Sequence, residues 1–105
     1  MHNHVIVFST VPDEARGREI GRALVEERLA ACVTVSAACR SLYWWEGKIA
    51  DESEYMLVIK TKASLYEKLE AKLKEIHPYT VPEIIALPIV AGSKKYLDWL
   101  AAETR

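Results

Sequence analysis

The sequence has few cysteines, almost no net charge and no long hydrophobic run. Its 105 residues include only two cysteines, Cys32 and Cys39, which are too few for a disulfide framework and too widely spaced for a CxxC redox or zinc pair. Because 14 Lys and Arg residues nearly balance 15 Asp and Glu residues in number, we expect neither nucleic acid nor an anionic membrane as a partner. The apolar runs are too short to cross a bilayer, and no basic segment precedes the first of them. These absences favour a cytoplasmic protein.

Motifs for nucleotide binding and serine hydrolysis are also missing. No GxxxxGK[ST], GxGxxG or GxSxG pattern occurs in the chain, so neither a phosphate loop nor a nucleophile elbow is indicated. The two cysteines offer no alternative chemistry. On one regular strand, a separation of seven residues would place Cys32 and Cys39 on opposite faces, roughly 23 Å apart. We interpret them as reduced thiols in a reducing compartment.

Strand-like and helix-like segments alternate along the chain, without a linker or a low-complexity tract. Strands are predicted from β-branched, aromatic and other apolar residues at 5–8, 32–45, 55–59 and 84–90. Pro88 indicates that the last strand lies at a sheet edge or a bulge. The order β-α-β-β-α-β with a terminal helix is that of a ferredoxin-like fold. We therefore predict one α+β domain over residues 1–105, with a four-stranded antiparallel sheet and two helices on one face.

Three helices follow from apolar residues at helical spacing. The first begins after Asp13 and should end near Ala31. The second opens at Ser64 and Glu67, which have the spacing of a capping box. The third, shorter helix begins at Ser93.

The predicted strands are too apolar for a sheet that is covered on one face only. Such strands should alternate apolar and polar residues, yet residues 5–8, 55–59 and 84–87 are apolar at both parities. Aromatic residues are frequent at subunit contacts, and Tyr43, Trp44 and Trp45 are consecutive. We expect a homo-oligomer with these three residues at its interface. A stacking surface for a base or sugar is the alternative for the two tryptophans, but they lack basic neighbours.

The segment HPYTVPEIIALPI, residues 77–89, brings an imidazole, a phenol and a carboxylate together between prolines. His77 and Glu83 suit a divalent transition metal, although two protein ligands make an incomplete shell. His77 equally suits the C-terminus of a helix, where an imidazole interacts with free carbonyls. A third interpretation makes His77 and Glu83 an acid-base pair, without any nucleophile or cofactor signature to accompany them.

Lysines near the end of the third strand suggest a different ligand. Lys60 and Lys62 precede a predicted helix, a position where ligands often bind in mixed α/β folds. Either lysine, with the turn around Tyr79, could hold a small anion. A solvated strand end explains the two lysines equally well.

Several segments together resemble the CutA family of divalent-cation tolerance proteins. The matching segments are VFSTVPDE, ALVEERLAACV, SLYWWEGKI, HPYTVPEIIALPI and YLDWL, and they extend from Val5 to Leu100. The resemblance implies a ferredoxin-like subunit in a tight homotrimer whose long hairpin strands pair across subunits. It also implies an architecture like that of the PII signalling proteins, and binding of copper or other divalent ions.

The resemblance transfers the metal ligands only in part. Some bacterial CutA proteins carry a cysteine where this chain has Ser9, and a second histidine where it has Ile76; His77 is retained. The loss of a thiolate and an imidazole should weaken copper binding. We expect a cytosolic homotrimer that binds divalent cations weakly at His77, requires no cofactor and catalyses no reaction. The alternative is a PII-like sensor that binds a small anion through Lys60 and Tyr79 in clefts between subunits.

Overall fold

The structure is a computed structural model that describes residues 2–105. Four strands and three α-helices follow one another along the chain: β1 His4–Val11, α1 Glu14–Glu26, β2 Cys32–Trp45, β3 Lys48–Lys62, α2 Tyr66–Ile76, β4 Ile85–Pro88 and α3 Lys94–Ala102. A short 3-10 turn, Ala63–Leu65, precedes α2. Among these residues, the element order is the predicted β-α-β-β-α-β with a terminal helix.

The four strands form one antiparallel sheet in the order β2-β3-β1-β4. This order, with helices on one face, confirms the ferredoxin-like α+β prediction. The core lies between that face and the helices, where Val7 and Leu57 of the sheet pack with Leu24 of α1 and Leu69 of α2. The alternate residues Ile6, Phe8 and Val58, which face the other side of the sheet, are only half-buried.

Two of the three predicted helix starts are confirmed by their caps. The Asp13 carboxylate accepts a hydrogen bond from the Arg16 amide at 2.7 Å, and the Ser93 hydroxyl accepts one from the Tyr96 amide at 3.3 Å. The predicted capping box of Ser64 and Glu67 is wrong. The 3-10 turn occupies this position, and α2 begins at Tyr66 with no side-chain cap.

The first helix ends earlier than predicted. It stops at Glu26 rather than near Ala31, because Arg28 adopts a left-handed conformation with φ 63°. The turn lets the Leu29 amide bond to the Leu24 carbonyl. By Ala31 the backbone has already joined the sheet, since its amide bonds to the Lys60 carbonyl at 2.9 Å.

The last strand is shorter than predicted and lies at the sheet edge. It covers Ile85–Pro88 rather than residues 84–90. Pro88 pairs with Val5 of β1 on its inner side. Because β4 is the outer strand of the described sheet, the missing amide hydrogen of Pro88 interrupts no further ladder, and the edge position predicted for it is confirmed.

The predicted opposite orientation of the two cysteines is wrong, because β2 is not regular. Its pairing with β3 is interrupted between Val35 and Ala38, where three steps along β2 match two along β3. Cys32 lies opposite Lys60 and Cys39 opposite Glu54. These partners are an even number of residues apart, so both cysteines lie on the same side of the sheet. Both thiols are free.

The β2-β3 hairpin projects beyond the rest of the sheet. β1 pairs with β3 only as far as Tyr55, whereas β2 and β3 remain paired to Trp45 and Lys48. The molecule is accordingly elongated, with principal extents of 44 × 25 × 24 Å. No helix within residues 2–105 is long and apolar enough to cross a membrane.

Truncation of Leu69 tests the position of the core. Its side chain is fully buried between α2 and the sheet, so Leu69→Ala should lower the free energy of unfolding by about 2–5 kcal/mol. Val25→Ala is the control, because Val25 of α1 is 40% exposed and should cost under about 1 kcal/mol. Urea denaturation at one protein concentration measures both. Equal losses would contradict the assigned core.

Candidate functional site

Hydrogen bonds of the His77 imidazole hold the connection between α2 and β4 against the end of β1. His77 follows the last residue of α2, and its side chain is 8% exposed. The Tyr79 amide donates to Nδ1 at 3.1 Å. Because Nδ1 accepts this bond, the proton of the neutral ring lies on Nε2, which donates to the Thr10 carbonyl at 2.9 Å. Both ring nitrogens are therefore engaged.

Ser9 lies beside the same imidazole. Its hydroxyl oxygen is 3.3 Å from His77 Nε2, and the side chain is fully buried. A serine next to a histidine can act as a nucleophile when the ring accepts its proton. Here Nε2 carries the proton and donates it to Thr10, and no surface of Ser9 is open to a substrate. The pair fits a packing role.

Tyr79 attaches the connection after α2 to β3 as well. Its phenol donates to Oε2 of Glu54 at 2.6 Å, and the His77 and Tyr79 rings are tilted against each other with centroids 5.0 Å apart. Glu54 is only 4% exposed. The connection after α2 is thus held to β1 by an imidazole and to β3 by a phenol.

Burial is the largest cause of the pKa shifts of His77 and Tyr79. It lowers the pKa of the His77 imidazole below 6.5, although the bond to Thr10 and the proximity of Glu54 act in the opposite direction. For the Tyr79 phenol, burial and then the hydrogen bond to Glu54 raise the pKa well above 10.0. His77 is accordingly neutral and Tyr79 protonated near pH 7.

A cavity of about 600 Å³ opens between this connection and the projecting hairpin. Its wall contains two carboxyl groups, from Glu54 and Glu83. The remaining polar side chains of the wall carry hydroxyls, phenols and the Trp45 indole N–H, and its aromatic rings come from Tyr43, Trp45 and Tyr79. Among the lining residues there is no Lys, Arg or His. The wall is therefore acidic and aromatic.

The structure brings together some of the predicted site residues and separates others. Tyr79 and Glu83 line the cavity, whereas His77 lies behind its wall. Lys60 is elsewhere on β3: its amino group is 3.4 Å from the Thr34 hydroxyl and 3.8 Å from the Cys32 thiol. Lys62 pairs with His4 at the far end of β1. The proposed anion site of Lys60 with Tyr79 is not assembled within this chain.

Of the three aromatic residues predicted at an interface, two also line the cavity. Tyr43 and Trp45 contribute to its wall, and Trp44, which points away from it, is 73% exposed. Glu54 and Thr10 were missed by the sequence reasoning. Only the strand register, which joins residues far apart in the chain, places them beside Tyr79 and His77.

A cluster of three or more His, Cys, Asp or Glu side chains able to hold a metal ion is absent from residues 2–105. The donors around the imidazole are the buried Ser9 hydroxyl and backbone groups, which suit copper poorly. A metal ion at His77 would have to displace either the Tyr79 amide or the Thr10 carbonyl from the ring.

Strand order, two helices on one face and a projecting hairpin define an α+β protein of ferredoxin-like fold. The family model described as CutA1 divalent ion tolerance protein matches residues 5–103. The divalent-cation tolerance protein CutA of Thermus thermophilus is 48% identical over 99 residues, which are 94% of this chain and 96% of that protein. The chloroplastic protein CutA 1 of Oryza sativa is 45% identical over 96% of this chain, which spans 57% of that relative's length.

Solved structures agree with the sequence comparison. The crystal structure of CutA1 from Oryza sativa is similar with a TM-score of 0.96 and 43% identity, covering 99% of this chain and 95% of that one. The chain belongs to the CutA family, as its resemblance predicted. The family model and the Thermus thermophilus relative are both described as divalent-ion or divalent-cation tolerance proteins.

The lowered pKa of His77 predicts a pH dependence of stability. Because the folded protein binds the imidazole proton less readily than the unfolded chain, stability is complete above the ordinary pKa of about 6.5 and decreases as the pH falls below it. Denaturant unfolding measured from about pH 5 to about pH 8, on both sides of that pKa, should show the free energy of unfolding decrease towards low pH. His77→Gln should lack it, and the control His4→Gln should retain it. An unchanged slope in His77→Gln would contradict the assignment.

Proposed function

We propose that this CutA family protein acts in divalent-cation tolerance as a homotrimer, binding divalent cations weakly and catalysing no reaction. The proposal combines the description of the family as divalent ion tolerance proteins with two features of the chain: the apolar surface that its own helices leave open, and the place of His77 beside Ser9.

Exposed apolar side chains support the homotrimer. On the projecting hairpin, Leu42, Trp44 and Ile49 are 67%, 73% and 61% exposed. On the edge strand β4, Ile85 and Leu87 are each about half exposed. Exposed apolar patches rimmed by polar residues mark interaction surfaces, and a sheet with an open edge strand on one side and a projecting hairpin on the other is suited to pairing with further copies. Three copies would match the trimer that the resemblance implies.

The position of Ser9 supports a cation contact at His77. Some bacterial CutA proteins carry a cysteine at the position of Ser9, and the 3.3 Å separation from Nε2 places such a thiol next to the imidazole. In this chain the hydroxyl is a poor ligand for a soft metal, and both ring nitrogens already have partners. Binding must therefore be weak. Glu83, on the cavity wall, is the nearest carboxylate candidate along the connection.

The same geometry disfavours the acid-base alternative. His77 lies behind the cavity wall with both nitrogens bonded to backbone groups, whereas Glu83 lines the cavity. A general base must reach the proton that it removes, and the imidazole has no free nitrogen to do so. We further propose a cytosolic location, because the exposed free thiol of Cys39 suits a reducing compartment.

The oligomeric state is directly measurable. Sedimentation at micromolar concentration should give a species of about 36 kDa, three times the 11.9 kDa chain. Trp44→Asp places a charge in the apolar surface and should shift the population towards smaller species. Lys68→Gln, on the exposed side of α2, is the control and should leave the trimer intact. A folded 12 kDa wild-type species would contradict the homotrimer.

Copper titration tests the cation contact. Calorimetry with Cu(II) should detect weak binding that His77→Ala abolishes, because within residues 2–105 the His77 imidazole is the side-chain nitrogen ligand beside Ser9. The titrations use a background in which His2 and His4 are serine, so that N-terminal imidazoles contribute no heat. Ser9→Cys should tighten binding by about tenfold or more, because a thiolate replaces a hydroxyl. Identical heats for the background protein and His77→Ala would refute the site.

A further inference from the structure

Glu54 is a buried acidic group without a basic partner. Its side chain is 4% exposed, and its one hydrogen-bonded neighbour in the described chain is the Tyr79 phenol, 2.6 Å from Oε2. No Lys, Arg or His nitrogen within residues 2–105 lies within 4.0 Å of it. Buried charges in proteins are normally paired, because an uncompensated charge is costly to desolvate.

The second oxygen of Glu54 is available to a ligand. Oε2 accepts the phenol hydrogen, and Oε1 has no hydrogen-bond partner among the described residues. Glu54 forms part of the cavity wall. The phenol fixes the carboxyl group in place, so little further side-chain entropy is lost when a ligand binds to Glu54.

The charged residues of the cavity wall favour a cation. Glu83 is the second charged residue of the wall. His77, which bonds to Tyr79 and Thr10 of the wall, is kept neutral near pH 7 by burial. With two carboxyl groups and no basic residue among the lining residues, the charges of the wall repel an anion.

The aromatic part of the wall favours an organic cation over a metal ion. Rings of Tyr43, Trp45 and Tyr79 face the cavity, and aromatic faces attract ammonium groups while their edges pack against alkyl chains. A metal ion would need several closely spaced carboxylate or imidazole donors. Such a cluster is absent from the described part of the chain, and half of the Glu54 carboxyl is occupied by a phenol.

We propose that the cavity between the projecting hairpin and the connection after α2 binds a small organic cation with a primary ammonium group. Oε1 of Glu54 accepts the ammonium hydrogens, and the rings of Tyr43 and Trp45 enclose the alkyl part. The ammonium group contacts Glu54 and the aromatic rings rather than the His77 imidazole, so the copper titration and the amine titration can fail independently.

Calorimetry with n-butylammonium chloride tests the proposal on the full-length protein. Wild-type protein should bind it saturably, and Glu54→Gln should weaken binding by about tenfold or more, because the charge-assisted bond is lost. Glu52→Gln is the matched control, two residues away on β3 and exposed, and should change affinity by less than about threefold. The isosteric probes 1-butanol and sodium butyrate should bind far more weakly than the amine.

Two further variants keep the test decisive if Glu54→Gln does not fold. Tyr79→Phe retains the Glu54 carboxyl but removes the phenol that fixes it, so binding should weaken by about threefold or more, and Trp45→Ala removes a ring and should weaken binding by at least about threefold. Circular dichroism and sedimentation confirm that each variant is folded.

Absence of saturable amine binding to wild type would overturn the proposal, since the cavity would then be closed, for instance by a second copy. Equal affinity of Glu54→Gln, or butanol binding as tightly as butylammonium, would also overturn it.

Discussion

Two hydrogen bonds to one neutral imidazole determine how the connection after α2 lies against the sheet. The His77 ring accepts the Tyr79 amide on Nδ1 and donates from Nε2 to the Thr10 carbonyl at the end of β1. The ring can do both only in one tautomer, and burial keeps it uncharged. With the backbone fixed at Tyr79, its phenol meets Glu54 on β3. The cavity, its carboxyl groups and its aromatic wall all follow from that attachment.

Much of the fold could be predicted from the sequence, because apolar spacing reports which face of an element is covered. The strand runs, the helix stripes and the caps at Asp13 and Ser93 depend on residues close together in the chain, and the element order followed from them. Features that depend on irregular backbone were predicted wrongly. α1 ends at Glu26 because Arg28 turns the chain towards the sheet, and an irregularity in β2 reverses the predicted facing of the cysteines.

The site was predictable only where its residues are neighbours in sequence. His77, Tyr79 and Glu83 share one short proline-flanked segment, whose rigidity indicated a preformed arrangement. Glu54 and Thr10 come from two strands whose register no local pattern reveals, and Glu54 lies in a polar stretch typical of a solvated hairpin. Lys60 illustrates the converse, since its place near a strand end suggested a ligand, but its amino group contacts Thr34 of the neighbouring strand; a site shared with Tyr79 across subunits stays a prediction. Membership of the CutA family fixes the architecture, whereas the chemistry at His77 depends on its own neighbours, Ser9 and Thr10.

The tautomer of His77 tests this account most directly. A long-range ¹H–¹⁵N spectrum of protein labelled at histidine, recorded near pH 7, distinguishes a protonated nitrogen from an accepting one in each ring. The account predicts one histidine with a slowly exchanging proton on Nε2 and an accepting Nδ1, absent from the spectrum of His77→Gln. A His77 ring protonated on Nδ1, or on both nitrogens, could not accept the Tyr79 amide. The attachment on which the cavity depends would then be wrong.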